Sequence, residues 1–281
     1  MAIGDATRVN TNIAAFNALA ALKNVNWDLE KRQLKLATGR RINEVSDDPA
    51  GYVISKRLYA RVRGLSAALD NVGTTKNVLS IAEGGLLNIH NILVGMKEKL
   101  TQSANDTLGS AERNAIRSEI LQLVAEITDI VQETQFNNNT LLDGTYTGKS
   151  FQTGEGTQDY MQFDLSTNHN STGLGINAEE VADRVFSATG SRYALGKIND
   201  SIDQISDSLQ TVGAIVTRLT IKEATLRIAI TNTEAAKSRI LDADLAAEQL
   251  ESTRLQILQQ TATAQLAQAN VAPQNVLALF Q

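Results

Sequence analysis

Apolar residues recur every seven positions over two long stretches of the chain. In the C-terminal half the row is Ile198, Ile205, Val212, Leu219 and Leu226, continuing through Thr233 to Ile240. A companion row four residues on reads Ile202, Leu209, Val216 and Ile230, with Glu223 as its polar exception. In the N-terminal half Leu58, Leu65, Val72, Leu79, Leu86, Leu93 and Leu100 form a second seam, with Ala82, Ile89 and Met96 three residues on. A repeat of 3.5 residues keeps an apolar seam straight along a long helix, and such a helix cannot bury its seam against itself. The two seams therefore predict two long helices packed against each other. Each covers about 43 residues, roughly 65 Å at 1.5 Å per residue.

Between and outside the seams the pattern changes. Residues 1–45 contain a helical segment with Leu22, Leu29 and Leu36 at heptad spacing and Val25 between the first two. It breaks at Ser46-Asp47-Asp48-Pro49, where Asp48 is suited to an N-cap and Pro49 to the first helical position, so the break is also a restart. The stretch from Ser103 to Gly109 reads as a turn, with Ser110 as the cap of a third helix along Ile116, Ile120, Leu123, Ile127 and Ile130. Residues 138–190 carry the turn signal Asp143-Gly144, further glycines, and strand-like alternation from Tyr160 to Leu165. The C-terminal register fails at Asp242-Ala243-Asp244, and an Ala- and Gln-rich helical run follows to Asn270.

The expected fold is mainly α: an elongated antiparallel helical rod bundle, a small β-hairpin region and paired N- and C-terminal coiled-coil tail helices. The expected divisions are an N-terminal tail (1–45), the first part of the rod (46–145), the hairpin and loop region (146–191), the second part of the rod (192–243) and a C-terminal tail (244–281). In the C-terminal tail Leu255, Leu258, Ala262, Leu266 and Ala269 form a narrow apolar stripe flanked by glutamines. Such a helix buries too little to be stable alone, which predicts a tail that orders on assembly. A terminal helix docked on its own chain fits the same pattern.

Composition narrows the chemistry. Aromatics make up 4% of the chain and proline occurs twice, so Leu, Ile, Val and Ala carry the burial, as in long helical packings. A net charge of −5 argues against a nucleic-acid partner, which favours a basic stripe. With no cysteine there is no disulfide, zinc-thiolate site or thiol catalysis. No stretch approaches the roughly 20 apolar residues of a membrane span. Ile13 to Leu22, interrupted by Asn17, reads as an amphipathic helix rather than a cleaved leader.

No catalytic, cofactor or metal site emerges. His90 flanks the seam beside Ile89, and His169 falls in the polar loop; two histidines cannot build a three-histidine site. The glycines at 154, 156, 173 and 175 do not continue into a nucleotide-binding motif. The carboxylate pairs Asp47/Asp48 and Asp242/Asp244 stand at helix breaks, where capping is the simpler role. The triplets at Asn105, Asn138 and Asn170 match the N-glycosylation pattern, a very weak signal without a eukaryotic secretory setting.

Several motifs resemble one family. Ile257-Leu-Gln-Gln260, Leu266-Ala-Gln-Ala-Asn270 and Pro273-Gln-Asn-Val-Leu277 resemble the C-terminal signature of bacterial flagellins, and Ser238-Arg-Ile240 with Asp242-Ala-Asp244 matches the segment before it. Gly39-Arg-Arg-Ile-Asn43, Asp47-Asp48 and Ala50-Gly51 resemble the N-terminal signature; Gln132 to Asn137 and Leu141-Leu-Asp-Gly144 follow the family in the middle. The resemblance implies a non-enzymatic structural subunit that polymerises into the extracellular flagellar filament for swimming motility. It also implies that the two tails pair along the filament channel, with the rod helices forming the wall outside. On that reading the tail interface comprises Leu22, Val25, Leu29 and Leu36 with Leu255, Leu258, Ala262, Leu266, Ala269, Asn270, Gln274 and Asn275.

The implied partners are further copies of the chain, an export chaperone at the C-terminal tail, the filament cap and hook-associated junction proteins. Export would run through a flagellar type III channel, without a general secretory leader. With only about 40 residues between the rods, the chain looks like a near-minimal flagellin. The form Asp47-Asp48-Pro49 is closer to the related hook–filament junction proteins, which stand as the alternative function. Many flagellins present the face around Val94 to Gln102 to an innate immune receptor. Here Gly95 replaces a usual arginine and Lys99 a usual leucine, so recognition by that receptor is not expected.

Overall fold

The computed structural model describes the backbone of residues 11–278 and the side chains of residues 11–271. Five helices dominate: α1 (Ile13–Thr38), α2 (Pro49–Ser103), α3 (Ser110–Glu133), α4 (Ala188–Leu241) and α5 (Leu245–Ala278). Between α3 and α4 lie a short hairpin of β1 (Gln135–Phe136) and β2 (Asn139–Thr140), a longer antiparallel hairpin of β3 (Tyr146–Gln152) and β4 (Tyr160–Leu165), and one 3-10 turn at Ala182–Arg184. The chain divides into two compact units. The first holds residues 1–60 and 232–281, the second Arg61–Thr231, and the divisions fall inside α2 and α4.

In the second unit α2 and α4 run antiparallel. The Ser103 and Ser191 hydroxyls meet at 3.0 Å, and Lys76 reaches Glu223 at 3.0 Å, so partners move oppositely along the two helices. Leu65, Val72, Leu79, Leu86, Leu93 and Leu100 are buried together with Ile198, Ile205, Val212, Leu219 and Leu226 in one core. Each such side chain removed from water contributes about 1.5–3 kcal/mol. Glu223, the polar member of the companion row, is half-buried and held by Arg227 and Lys76. Those hydrogen bonds keep its carboxylate below the ordinary range.

One 18-residue window of α2 reaches a mean hydropathy of 1.3, so by length and composition this helix could cross a membrane. The expectation that no stretch approaches a span was too strict. The excess comes from the seam, where Leu79, Leu86, Ile89 and Leu93 face the core.

The third helix also departs from expectation. Its buried row is Arg113, Ile116, Ile120, Val124, Ile127 and Val131, while Leu123 and Ile130 pack only partly against the core. Gly109, not Ser110, precedes the helix, and no side chain caps it. Arg113 begins the row because its guanidinium is saturated by carbonyls: Nη1 donates to Ser103 at 2.5 Å and Val185 at 3.3 Å, Nη2 to Asn105 at 2.9 Å, and Nε to Leu108 at 3.4 Å. It thereby caps the end of α2, whose last carbonyls lack helical partners. At the other end of α3, Gly85 allows close packing. A Cβ there would stand 2.6 Å from Thr134 Oγ1 and 2.8 Å from Leu142 Cδ1.

The longer hairpin presses Phe163 and Leu165 into the core, with Phe151 stacked on Phe163 at 4.7 Å. His169 is also buried, against its expected place in a polar loop. Its Nδ1 lies 3.3 Å from the Leu142 carbonyl and its Nε2 2.8 Å from Ser208 Oγ, joining this loop to α4. Burial pushes its pKa below the ordinary histidine value, although the Leu142 hydrogen bond works in the opposite sense.

Candidate assembly interface

The first unit is organised by the break at residues 39–48. Thr38 ends α1, and Gly39 turns the chain at φ +67°, a left-handed conformation natural to glycine. Beyond it the chain joins the end of α4. Ala243 N–H donates to the Gly39 carbonyl at 3.0 Å, Arg41 N–H to Leu241 at 2.7 Å, and Arg41 Nη2 to Ile240 at 2.8 Å. The Arg41 side chain thus caps α4 from a distant part of the sequence.

One acidic residue of each break, Asp48 and Asp244, is a cap, whereas Asp47 binds loop N–H groups of Asn43 and Glu44. Asp48 Oδ1 accepts from Gly51 N–H at 2.9 Å with Pro49 opening α2, and Asp244 Oδ1 accepts from Ala246 and Ala247 ahead of α5. Gly51 has no room for a side chain, since a Cβ would meet Asp48 Oδ2 at 2.3 Å and buried Ile42 at 2.8 Å. At Asp47, burial opposes ionisation, but N–H groups of Asn43 and Glu44 and the charges of Lys35 and Lys31 outweigh it and lower the pKa.

Helices α1 and α5 pack antiparallel. Asn12 Nδ2 donates to the Ala269 carbonyl at 2.7 Å, Gln259 Nε2 to Asn26 Oδ1 at 2.7 Å, and Arg32 pairs with Glu248 at 2.8 Å. On α1 the covered row is Ala15, Ala18, Leu22, Val25, Leu29, Arg32 and Leu36. Facing it on α5 are Glu248, Ser252, Leu255, Gln259, Ala262, Leu266 and Ala269. Leu258 does not belong to this row. It is 40% exposed, and Gln259 occupies the inner position because Asn26 satisfies its amide. Asn270 is exposed, and the side chains of Gln274 and Asn275 lie outside the described residues.

The inner seam mixes leucines and a valine with small and polar residues, and large apolar residues remain outside it. Ile13, Ala20, Trp27 and Leu34 recur every seven residues on α1, all exposed. Leu250, Ile257, Ala264 and Val271 do the same on α5. Leu250 is 71% and Ile257 59% exposed; Trp27 is 58% exposed and carries Lys31 Nζ 3.9 Å above its ring. Each tail helix therefore has two apolar rows, and the pair covers one. Sequence reading followed the inner row and missed the outer; counting by sevens from Ile13 or Leu250 finds it.

The chain is similar to known proteins over nearly its whole length. A family model of the bacterial flagellin N-terminal helical region matches residues 9–147, and one of the bacterial flagellin C-terminal helical region matches residues 195–280. A flagellin of Halalkalibacterium halodurans is 36% identical over 275 residues, covering 97% of this chain and 99% of the relative. A flagellin of Bacillus subtilis is 34% identical over 306 residues, covering 98% and 100%. A flagellar filament 33 kDa core protein of Treponema phagedenis is 32% identical over 287 residues, covering 97% and 99%. Among solved structures, a protein of Vibrio parahaemolyticus described as flagellar hook-associated aligns over 70% of this chain and 100% of its own, with a TM-score of 0.61 and 14% identity, a likeness of fold alone. The full-length relatives are filament proteins, and the chain belongs to the bacterial flagellin family as a structural subunit of the flagellar filament.

Proposed function

We propose that the outer rows of α1 and α5 are the polymerisation surface, and that the inner row holds the two tails in one subunit. The observation that carries this reading is the pair of exposed heptad rows, Ile13 to Leu34 and Leu250 to Val271. An apolar row repeating every seven residues fits another helix, and contiguous exposed apolar surface on a soluble protein marks an interaction site. Leu22, Val25, Leu29 and Leu36 with Leu255, Ala262, Leu266 and Ala269 then fix tail pairing. Leu258, Asn270, Gln274 and Asn275 are assigned to contacts with neighbouring subunits.

In the filament, residues 1–45 and 244–281 line the channel. Residues 46–145 and 192–243 form the wall, and the hairpin region 146–191 takes the place of a variable domain. The exposed rows also give a physical reason for a chaperone on the C-terminal tail before export, since uncovered they promote aggregation. The cap and the hook-associated junction proteins would meet the same tails at the two filament ends, outside the cell.

Ile257→Asp tests the assignment. Ile257 makes no core contact, so unfolding should shift by no more than about 0.5 kcal/mol, as for an ordinary surface substitution. Seeded filament growth, followed by sedimentation and negative-stain microscopy, should be lost. Normal filaments from this variant would sink the outer-row assignment.

A further inference from the structure

His169 is only 2% exposed, yet its ring forms part of the wall of an open hollow of about 260 Å³ between the longer hairpin and α4. The placing of its proton follows from its partners. A carbonyl only accepts, so Nδ1 carries the hydrogen toward Leu142, and the neutral ring leaves Nε2 to accept from the Ser208 hydroxyl at 2.8 Å. The same hydroxyl has a second acceptor in the Gln204 carbonyl, at 3.0 Å. This inner position suits a neutral imidazole. A charged one would find two neutral oxygens there and no carboxylate, and a buried charge without a counter-charge is costly. Burial accordingly holds the pKa of the ring below its ordinary value.

The hollow beside the ring has the opposite character. β4 contributes Asp164 and α4 contributes Asp207, both exposed. Asp164 accepts from the Gly148 N–H at 2.6 Å, and neither carboxylate is in an ion pair among the described residues. The remaining walls add no charge. α2 presents Leu86 and the segment after β2 presents Leu142, while the carboxylate of the next residue, Asp143, is engaged by Thr140 and Thr145. A charged ring that left Ser208 would therefore meet water and two carboxylates within the same hollow.

We infer that His169 is a two-position proton switch: neutral, it clasps Ser208; charged, its ring turns into the hollow beside Asp164 and Asp207, and the loop after β4 loosens from α4. The base of that loop stays fixed, because His169 N–H donates to the Leu142 carbonyl at 2.9 Å and Asp143 bridges Asn168. The next tie to α4 is Ser201 Oγ, which donates to the Leu174 carbonyl at 2.9 Å. Between those two points the loop has one side-chain bond to another helix, from Thr128 of α3 to Ser171 at 3.2 Å. Release is confined to that short span and leaves the seam of α2 and α4 in place. The switch uses no residue of the tail rows, so it holds independently of the assembly reading.

Proton NMR of the two histidine rings in the unassembled full chain, titrated from pH 8 to pH 4.5 with His169→Gln identifying the signal, tests the inference. The His169 ring should titrate below its ordinary value of 6.5. Ser208→Ala removes the partner of the neutral position, so the midpoint should shift to higher pH. Asp164→Asn with Asp207→Asn removes the charged destination, so it should shift to lower pH. In a ring that stays in place when charged, Ser208 is the acceptor of the new N–H, and its loss would move the midpoint down or not at all. Either of those results overturns the inference. Hydrogen exchange gives a second readout. Between pH 7 and pH 5, residues 170–174 should lose protection in the parent relative to His169→Gln at the same pH, and by more than Leu79 to Leu93 do. Equal loss in loop and seam, or no difference between the parent and His169→Gln, overturns the local release.

Discussion

Arg113→Ala offers the sharpest test of how the second unit is closed. The guanidinium donates four hydrogen bonds to carbonyls of the α2 end, the following turn and the segment before α4, and only 6% of the residue is exposed. Bonds from a charged donor are worth about 1.5–3 kcal/mol each. Those to Ser103 at 2.5 Å and Asn105 at 2.9 Å are short, and those at 3.3 and 3.4 Å are weak. Counting the two short bonds, and allowing water to reach part of the vacated space, the expected loss is about 3–5 kcal/mol. Arg117→Ala is the control. Arg117 is one turn on and pairs with Asp183 at the surface, a contact worth about 1 kcal/mol or less. Urea unfolding followed by circular dichroism should show a lower midpoint with an unchanged slope for Arg113→Ala and a small shift for Arg117→Ala. Hydrogen exchange should quicken around residues 103–109 and 182–191. Equal, small losses for the two variants would refute the claim that a buried arginine holds these segments together.

Other outcomes follow from the same packing. Leu79→Glu places an unpaired carboxylate in the fully buried seam and should cost several kcal/mol, about enough to unfold the second unit at room temperature, read as loss of the cooperative urea transition. His169 is held neutral by burial, so below its ordinary value of 6.5 the unfolded chain binds more protons than the folded one. Its contribution is fully present above that value and is lost as the pH falls. Stability measured from pH 7 to pH 5 should therefore decline less in His169→Gln than in the parent.

Much of the fold was legible because the apolar seams are long and regular. Leu65 to Leu100 and Ile198 to Leu226 have no alternative way to be buried, and Glu223 announced itself as the exception, although only packing identifies Lys76 as its partner. The capping roles of Asp48 and Asp244 were legible from position beside Pro49 and the register break. Polar residues in apolar places were not. Arg113, His169 and Gln259 all occupy inner positions because carbonyls, a serine hydroxyl or Asn26 satisfy them, and Val185, Ser208 and Asn26 are distant in sequence from the residues they serve. The phase of α3 was misread because Leu123-Val124 and Ile130-Val131 offer apolar residues in two registers and the valines are the buried ones, whereas Leu258 was misplaced because Gln259 took the slot that an apolar count assigns to its neighbour. The outer tail rows were overlooked on different grounds. The inner seam already satisfied the search for a partner, and nothing within a single chain calls for a second one.

The proposed function divides labour between a self-sufficient helical core and tails that assemble. Deleting residues 246–281 removes α5, exposes the inner row of α1 and leaves the core of the second unit intact. The truncated chain, seeded with filament fragments of the full chain and viewed by negative-stain microscopy, should unfold cooperatively in urea yet add nothing to the seeds. Filaments growing from the truncated chain would contradict the account.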